Sequence, residues 1–143
     1  MPIVASRSAA DGDLVTLSRE ATAALDALLA DAAAKVRERV IVEGHIVAKV
    51  LDREQRAAHG LAWLATYVEA VKQLAAYAAR MAGIGMLGEM EEHLVRIGIG
   101  ECLAQIIGGI PMSQGEVGLP SDMGLSAAQV AARLGGTADA LIE

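Results

Sequence analysis

The chain has 143 residues, 54% of them hydrophobic but only 2% aromatic, with no Phe and a formal net charge of −6. That length suits one domain, and the acidic balance with scattered Lys and Arg excludes a phosphate-backbone or anionic-lipid surface. One cysteine, Cys102, cannot close an internal disulfide, and no apolar run reaches the ~18–20 residues of a membrane span, so nucleic acid and membrane are not expected partners.

Residues 1–12 are small, polar and without period, and read as a flexible tail, leaving 13–143 as a single helical-bundle domain. No basic n-region precedes an apolar h-region, so a cytoplasmic location is expected. Asp13 or Thr16 is placed to cap a first helix, which carries Leu14, Leu17, Ala21, Leu25, Leu28, Ala32 and Val36 on one stripe. It ends near Arg39, where Arg37 and Arg39 suit the negative end of the helix dipole. The β-branched run Val40-Ile41-Val42 has no evident strand partner, so it is assigned to the helix end, with the turn at Glu43-Gly44.

The longest element is expected over Val47 to Met81. Val47, Val50, Leu51, Ala58, Leu61, Leu64, Ala65, Val68, Val71, Ala75 and Ala78 recur at helical spacing. A second stripe of His59, Trp63, Tyr67 and Ala70 holds the only Trp and one of the two Tyr. Gly60 lies well inside, at a cost of ~1 kcal/mol against Ala, which calls for a close helix crossing or room for a ligand beside His59.

Gly83-Ile84-Gly85 ends that helix. A third is expected from Met86 to Ile110 with Met90, Leu94, Ile97, Ala104 and Ile107 lining one side, and with Gly98, Gly100, Gly108 and Gly109 leaving flat patches for another backbone. Residues 111–125 show no period and read as a long loop, functional or a linker. Ser126 and Gln129 form a capping box for a short helix ending at Gly135-Gly136, after which Thr137 onward begins another. The expected fold is therefore all-α, an antiparallel bundle of three long helices plus one or two short C-terminal ones.

Residues that invite chemistry are few. Gly83, Gly85 and Gly88 match the dinucleotide spacing G-x-G-x-x-G, but they follow a helix and not a strand. Glu89, Glu91, Glu92 and His93 lack the Glu-x-x-His spacing of a helical metal site, so no metal is expected. Cys102 has apolar neighbours and no base close in sequence, and reads as a small core residue. Glu101, inside an apolar run, either pairs with Arg96 or Arg80 or acts as a general base in a pocket. His59 reads as a packed histidine before a catalytic one. Glu101 and His59 are thus weak catalytic candidates, and Trp63, Tyr67 and Gly60 are candidates for a ligand or interface.

Ala58 to Ala70, AHGLAWLATYVEA, and Ile107 to Glu116, IGGIPMSQGE, resemble a family. They look like the N-terminal helical extension of methylsuccinyl-CoA dehydrogenase, a flavin-dependent acyl-CoA dehydrogenase of bacterial-type metabolism. The resemblance runs from about Leu25 onward. It implies a body that desaturates a branched acyl-CoA with FAD, while the flavin-binding and catalytic domains are absent from this stretch. No catalytic residue carries over, and no cofactor is expected in the chain itself. The reading is a non-catalytic interaction or oligomerisation domain, packed on a flavoprotein body or on a second copy, with Trp63 or Tyr67 in or near the contact. The alternative is a stand-alone or engineered helical scaffold that binds a small molecule, with catalysis by Glu101 or His59.

Overall fold

The computed structural model describes residues 11–142, with side chains from Leu14 onward. Of the tail read over 1–12, residues 1–10 lie outside that span. The described chain is all-α apart from two short hairpins. Helix α1 covers Asp11–Val40, α2 Ala48–Arg53, α3 Gln55–Gly83, α4 Glu89–Gly108 and α5 Ala127–Ile142. Thr16 and Asp13 both stand inside α1 and not at its first residue.

Four long helices form the bundle. α1 packs on α3 and α5, α4 packs on the same two, and α1 and α4 face each other across the diagonal and barely touch. The α1 stripe fills the centre as its spacing requires, with Leu14, Ala21, Leu25, Leu28, Ala32 and Val36 all buried and Leu17 half-buried. Ser18, fully buried on the same face, donates to the Leu14 carbonyl at 2.7 Å and so leaves no polar orphan. α3 contributes Ala57, Gly60, Leu64, Val68, Val71 and Ala78. Lys72 meets Asp26 at 2.6 Å and Arg133 forks onto Asp31 at 2.9 and 3.3 Å, tying α3 and α5 to α1 across solvated edges.

Several boundaries depart from the sequence reading. Ile41–Val42 is a strand after all, paired antiparallel with His45–Ile46. Glu43 at φ 49° and Gly44 at φ 82° put both turn residues in the left-handed region, the geometry of a tight two-residue hairpin. The long helix breaks at Glu54, whose φ of −99° and ψ of 18° separate from α3 the short α2, which has no fully buried residue. Residues 111–125 are ordered rather than a featureless loop: Ile110–Ser113 pairs with Glu116–Gly118, and Pro120–Met123 makes a 3₁₀ turn. The capping box forms as expected, with Gln129 N to Ser126 Oγ at 3.2 Å and Ser126 N to Gln129 Oε1 at 2.9 Å. α5 then continues through Gly135-Gly136, because Leu134, Ala138 and Leu141 hold its inner face in the core while both glycines meet open space.

In α4 the apolar line of Met90, Leu94, Ile97 and Ile107 read from the sequence faces outward, 67%, 61%, 63% and 42% exposed. The buried residues are Val95, Ile99, Gly100, Leu103 and Ile106. α4 carries large apolar residues on two opposite sides, so periodicity offers two faces of similar strength. Backbone proximity makes the choice. A Cβ on Gly100 would stand 2.5 Å from the Leu141 carbonyl oxygen, and one on Gly98 would stand 2.9 Å from a Leu74 methyl. Only with those glycines turned inward can α4 lie against α5 and α3. Gly60 has a different neighbour from the one its sequence position implied. It faces the Met123 side chain of the 3₁₀ turn, which a Cβ would meet at 3.6 Å, and not a crossing helix backbone.

These two glycines respond oppositely to alanine. Gly100→Ala is expected to destabilise by about 1–3 kcal/mol, because the α5 backbone must move despite the better helix propensity. Gly60→Ala meets Met123 at ordinary van der Waals distance and is expected to stabilise by about 0.5–1 kcal/mol. Urea denaturation of the two variants beside the parent checks both signs.

Candidate functional site

Three features collect the residues with chemical potential. The first is a polar line across the outer seam of α3 and α4. The spacing of four along α3 stacks His59, Trp63 and Tyr67 on one side. Trp63 Nε1 donates to His59 Nε2 at 3.0 Å, and the Trp63 and Tyr67 rings meet edge-on with centroids 6.5 Å apart. The Tyr67 hydroxyl donates to Gln105 Oε1 on α4, and Gln105 Nε2 donates to Glu101 Oε1 at 3.0 Å. Four sequence candidates, His59, Trp63, Tyr67 and Glu101, are thereby joined. The link between them is Gln105, which sequence reading missed. Its only signal is its place four residues after Glu101 on the same helix face.

Glu101 is exposed rather than buried. Its partner is Gln105 and not Arg96, which donates instead to the Ala140 carbonyl at 3.2 Å. Cys102 is half-buried against the core. Burial pushes its thiol up, and the nearby Glu101 carboxylate adds to that. Burial also raises the Tyr67 phenol, with Cys102 and Glu101 contributing. The thiol therefore stays protonated at neutral pH and is a weak nucleophile.

The second feature is an open cleft of about 650 Å³ lined by Leu51, Asp52, Gln55, Arg56, His59 and Glu116, where α2, α3 and the second hairpin meet. Its wall is fixed by a polar clasp centred on Asp122. Asp122 Oδ2 accepts from Leu119 N at 2.8 Å, and Oδ1 meets Arg56 Nε at 3.0 Å. Arg56 also donates to the Val117 carbonyl at 3.0 Å, and Arg39 to the Asp122 carbonyl at 2.8 Å. Two helices thus grip the hairpin and the turn by charge-assisted bonds. His59 is exposed at the rim, its Nε2 already occupied by Trp63.

The third feature is the turn Gly83 to Gly88. Its amides are committed: Gly85 N to Ala82 O at 3.1 Å, Met86 N to Met81 O at 2.8 Å, and Gly88 N to Met86 O at 3.1 Å. Glu89, Glu91 and Glu92 follow in the first turn of α4. A dinucleotide pyrophosphate needs free amides and no negative charge there, so this glycine spacing does not fit one. His93 lies 3.7 Å from Glu89 on an exposed face. Among the described residues no three of His, Cys, Asp and Glu stand together as a metal set.

Comparison with known proteins bears on these features. No protein-family model matches the chain. The chain is 47% identical over 114 residues to a (2S)-methylsuccinyl-CoA dehydrogenase of Cereibacter sphaeroides. The resemblance read from AHGLAWLATYVEA and IGGIPMSQGE is real. The match takes in 80% of this chain but 21% of the relative, so the chain spans about a fifth of that protein's length. No helix among the described residues is long and apolar enough to cross a membrane.

Alkylation of Cys102 by iodoacetamide at neutral pH should be slower than that of a free thiol, and should still be rising with pH past the ordinary thiol value of 9.0. The same upward shift makes the folded state hold its proton longer than the unfolded chain does. Its stability contribution is thus complete below that value and lost as pH rises through the folded one. Asp122→Ala should cost about 1–2 kcal/mol by freeing the Leu119 amide and the Arg56 guanidinium together, read as a lower melting temperature.

Proposed function

We propose that this chain is a non-catalytic helical interaction module, equivalent to the N-terminal extension of a larger acyl-CoA dehydrogenase. The observation that supports this reading is the size of the match: 80% of the chain corresponds to 21% of a dehydrogenase, which leaves about four fifths of that protein to supply its chemistry. FAD, desaturation of a branched acyl-CoA and a cytoplasmic setting belong, on this reading, to the body that the module accompanies. The described residues favour it too. Glu101 and His59 lie towards the surface, Cys102 is a protonated thiol, and the glycine-rich turn does not fit a pyrophosphate.

The module works by contact. Its partner is the dehydrogenase body or a second copy, and Trp63 and Tyr67, half-buried on the outer seam, stand in or near the contact. Gly60 is buried beneath Met123, one residue from His59 at the rim of the hairpin cleft. A second reading, a small-molecule binder, draws on the cleft of about 650 Å³ beside His59.

Purified full chain separates these readings. On the first, it shows no flavin absorbance and no oxidation of (2S)-methylsuccinyl-CoA with an artificial electron acceptor. A stoichiometric flavin band, or turnover abolished by Glu101→Gln or His59→Ala, would overturn it in favour of a catalyst.

A further inference from the structure

The outward face of α4 carries a pattern that its solvent exposure does not explain. Met90, Leu94, Ile97, Glu101 and Ala104 follow one another at spacings of four, three, four and three. That spacing keeps all five on one narrow face of the helix, as the seam of a coiled coil does. The core-facing set of α4 is a different one, so the helix has two seams and the bundle uses only one. Met90, Leu94 and Ile97 are 67%, 61% and 63% exposed, and Ile84 and Met86 in the preceding turn extend the patch with 66% and 61%. The sum is on the order of several hundred Å², the size at which an exposed apolar surface marks an interaction site.

Charge decides the occupant. Glu101 stands within the seam and Glu89 and Glu91 flank its start, against Arg96 and His93. Arg96 is turned to the Ala140 carbonyl on α5, and His93 leans on Glu89 of its own turn at 3.7 Å. Glu101 sits within the seam itself, with one oxygen held by Gln105. A helix seated there strips water from that carboxylate, which is costly unless a cation replaces it. A second copy of α4 is a poor source of that cation, since it carries the same acidic excess. Parallel pairing sets Glu101 against Glu101, and antiparallel pairing still joins two acidic surfaces on chains of net charge −6.

We infer that the outward seam of α4 docks an amphipathic helix of different sequence, one with an apolar stripe and a lysine or arginine opposite Glu101. This rests on the interaction-module reading above and names the chemistry of its partner.

The test uses the full chain with two designed helical peptides about three heptads long, both with Leu at their a and d positions. One carries Lys at the flanking sites and at one seam site, and the other carries Glu. Fluorescence anisotropy of the labelled peptides reads binding. The Lys peptide should bind at least about tenfold more tightly than the Glu peptide, and added salt should weaken it. Ile97→Ser should lower that affinity by about tenfold or more, and Glu101→Gln should erase most of the preference for Lys. Both positions are exposed, so unchanged thermal melts confirm that the variants fold. Equal binding of both peptides, or none of either, would overturn the inference. So would sedimentation of the chain alone as a dimer that Leu94→Ser dissociates, because a second copy would then own the seam. None of these results touches the non-catalytic reading, which falls only if flavin or turnover is found.

Discussion

The rotation of α4 about its own axis is the constraint on which the rest depends. Gly100 lies under the Leu141 carbonyl of α5, and Gly98 lies under Leu74 of α3. Each position has room for a hydrogen where a methyl would collide, since a β-carbon would come within 2.5 Å of the carbonyl and 2.9 Å of the leucine. Turning α4 by half a revolution would leave β-carbons at those crossings and push both neighbours away. The glycines therefore select which of two comparable apolar faces enters the core. Val95, Ile99, Leu103 and Ile106 go in, and Met90, Leu94 and Ile97 come out. The dispersion attraction of closely approaching backbones compensates for the side-chain area that the glycines lack.

That choice shapes the surface as much as the core. Once Gly98 faces α3, Gln105 one heptad later is carried to the same seam, where it accepts from Tyr67 and donates to Glu101. The polar line from Tyr67 to Glu101 is thus a consequence of helix rotation, and it runs along the edge of the exposed apolar patch. Its members are hydrogen-bonded to one another within the protein, so they are held in place. The acidic first turn of α4 sits where the helix dipole favours it, and it gives the same face its negative rim.

The far end of the bundle is built on a different principle. There the chain leaves the helices for two hairpins and a 3₁₀ turn, with short helix α2 between. Arg39 from α1 and Arg56 from α3 reach into that region and bind backbone carbonyls at 2.8 and 3.0 Å. Asp122 links both to the turn. Charge-assisted bonds to backbone fix the loops more precisely than packing of small side chains would. Met123 then fills the space over Gly60 and closes the core at that end.

Much of this was legible in the sequence because local chemistry sufficed. The stripe of α1, the capping box at Ser126 and Gln129, and the helical character of most of the chain follow from spacing and side-chain type. The resemblance carried by AHGLAWLATYVEA was equally legible, since it depends on residue identity alone. Three things were decided only in three dimensions. Ile41–Val42 became a strand because Glu43 and Gly44 adopt left-handed backbone, which supplies the partner that no pattern announced. α5 ran through Gly135-Gly136 because buried Leu134, Ala138 and Leu141 outweigh the poor helix propensity of two solvent-facing glycines. Glu101 and the stripe around it turned to solvent because α4 carries large apolar residues on two opposite sides, and hydrophobic period cannot rank two comparable faces. Periodicity reports that a face can be buried. Only the approach of neighbouring elements at Gly98 and Gly100 determines which face is.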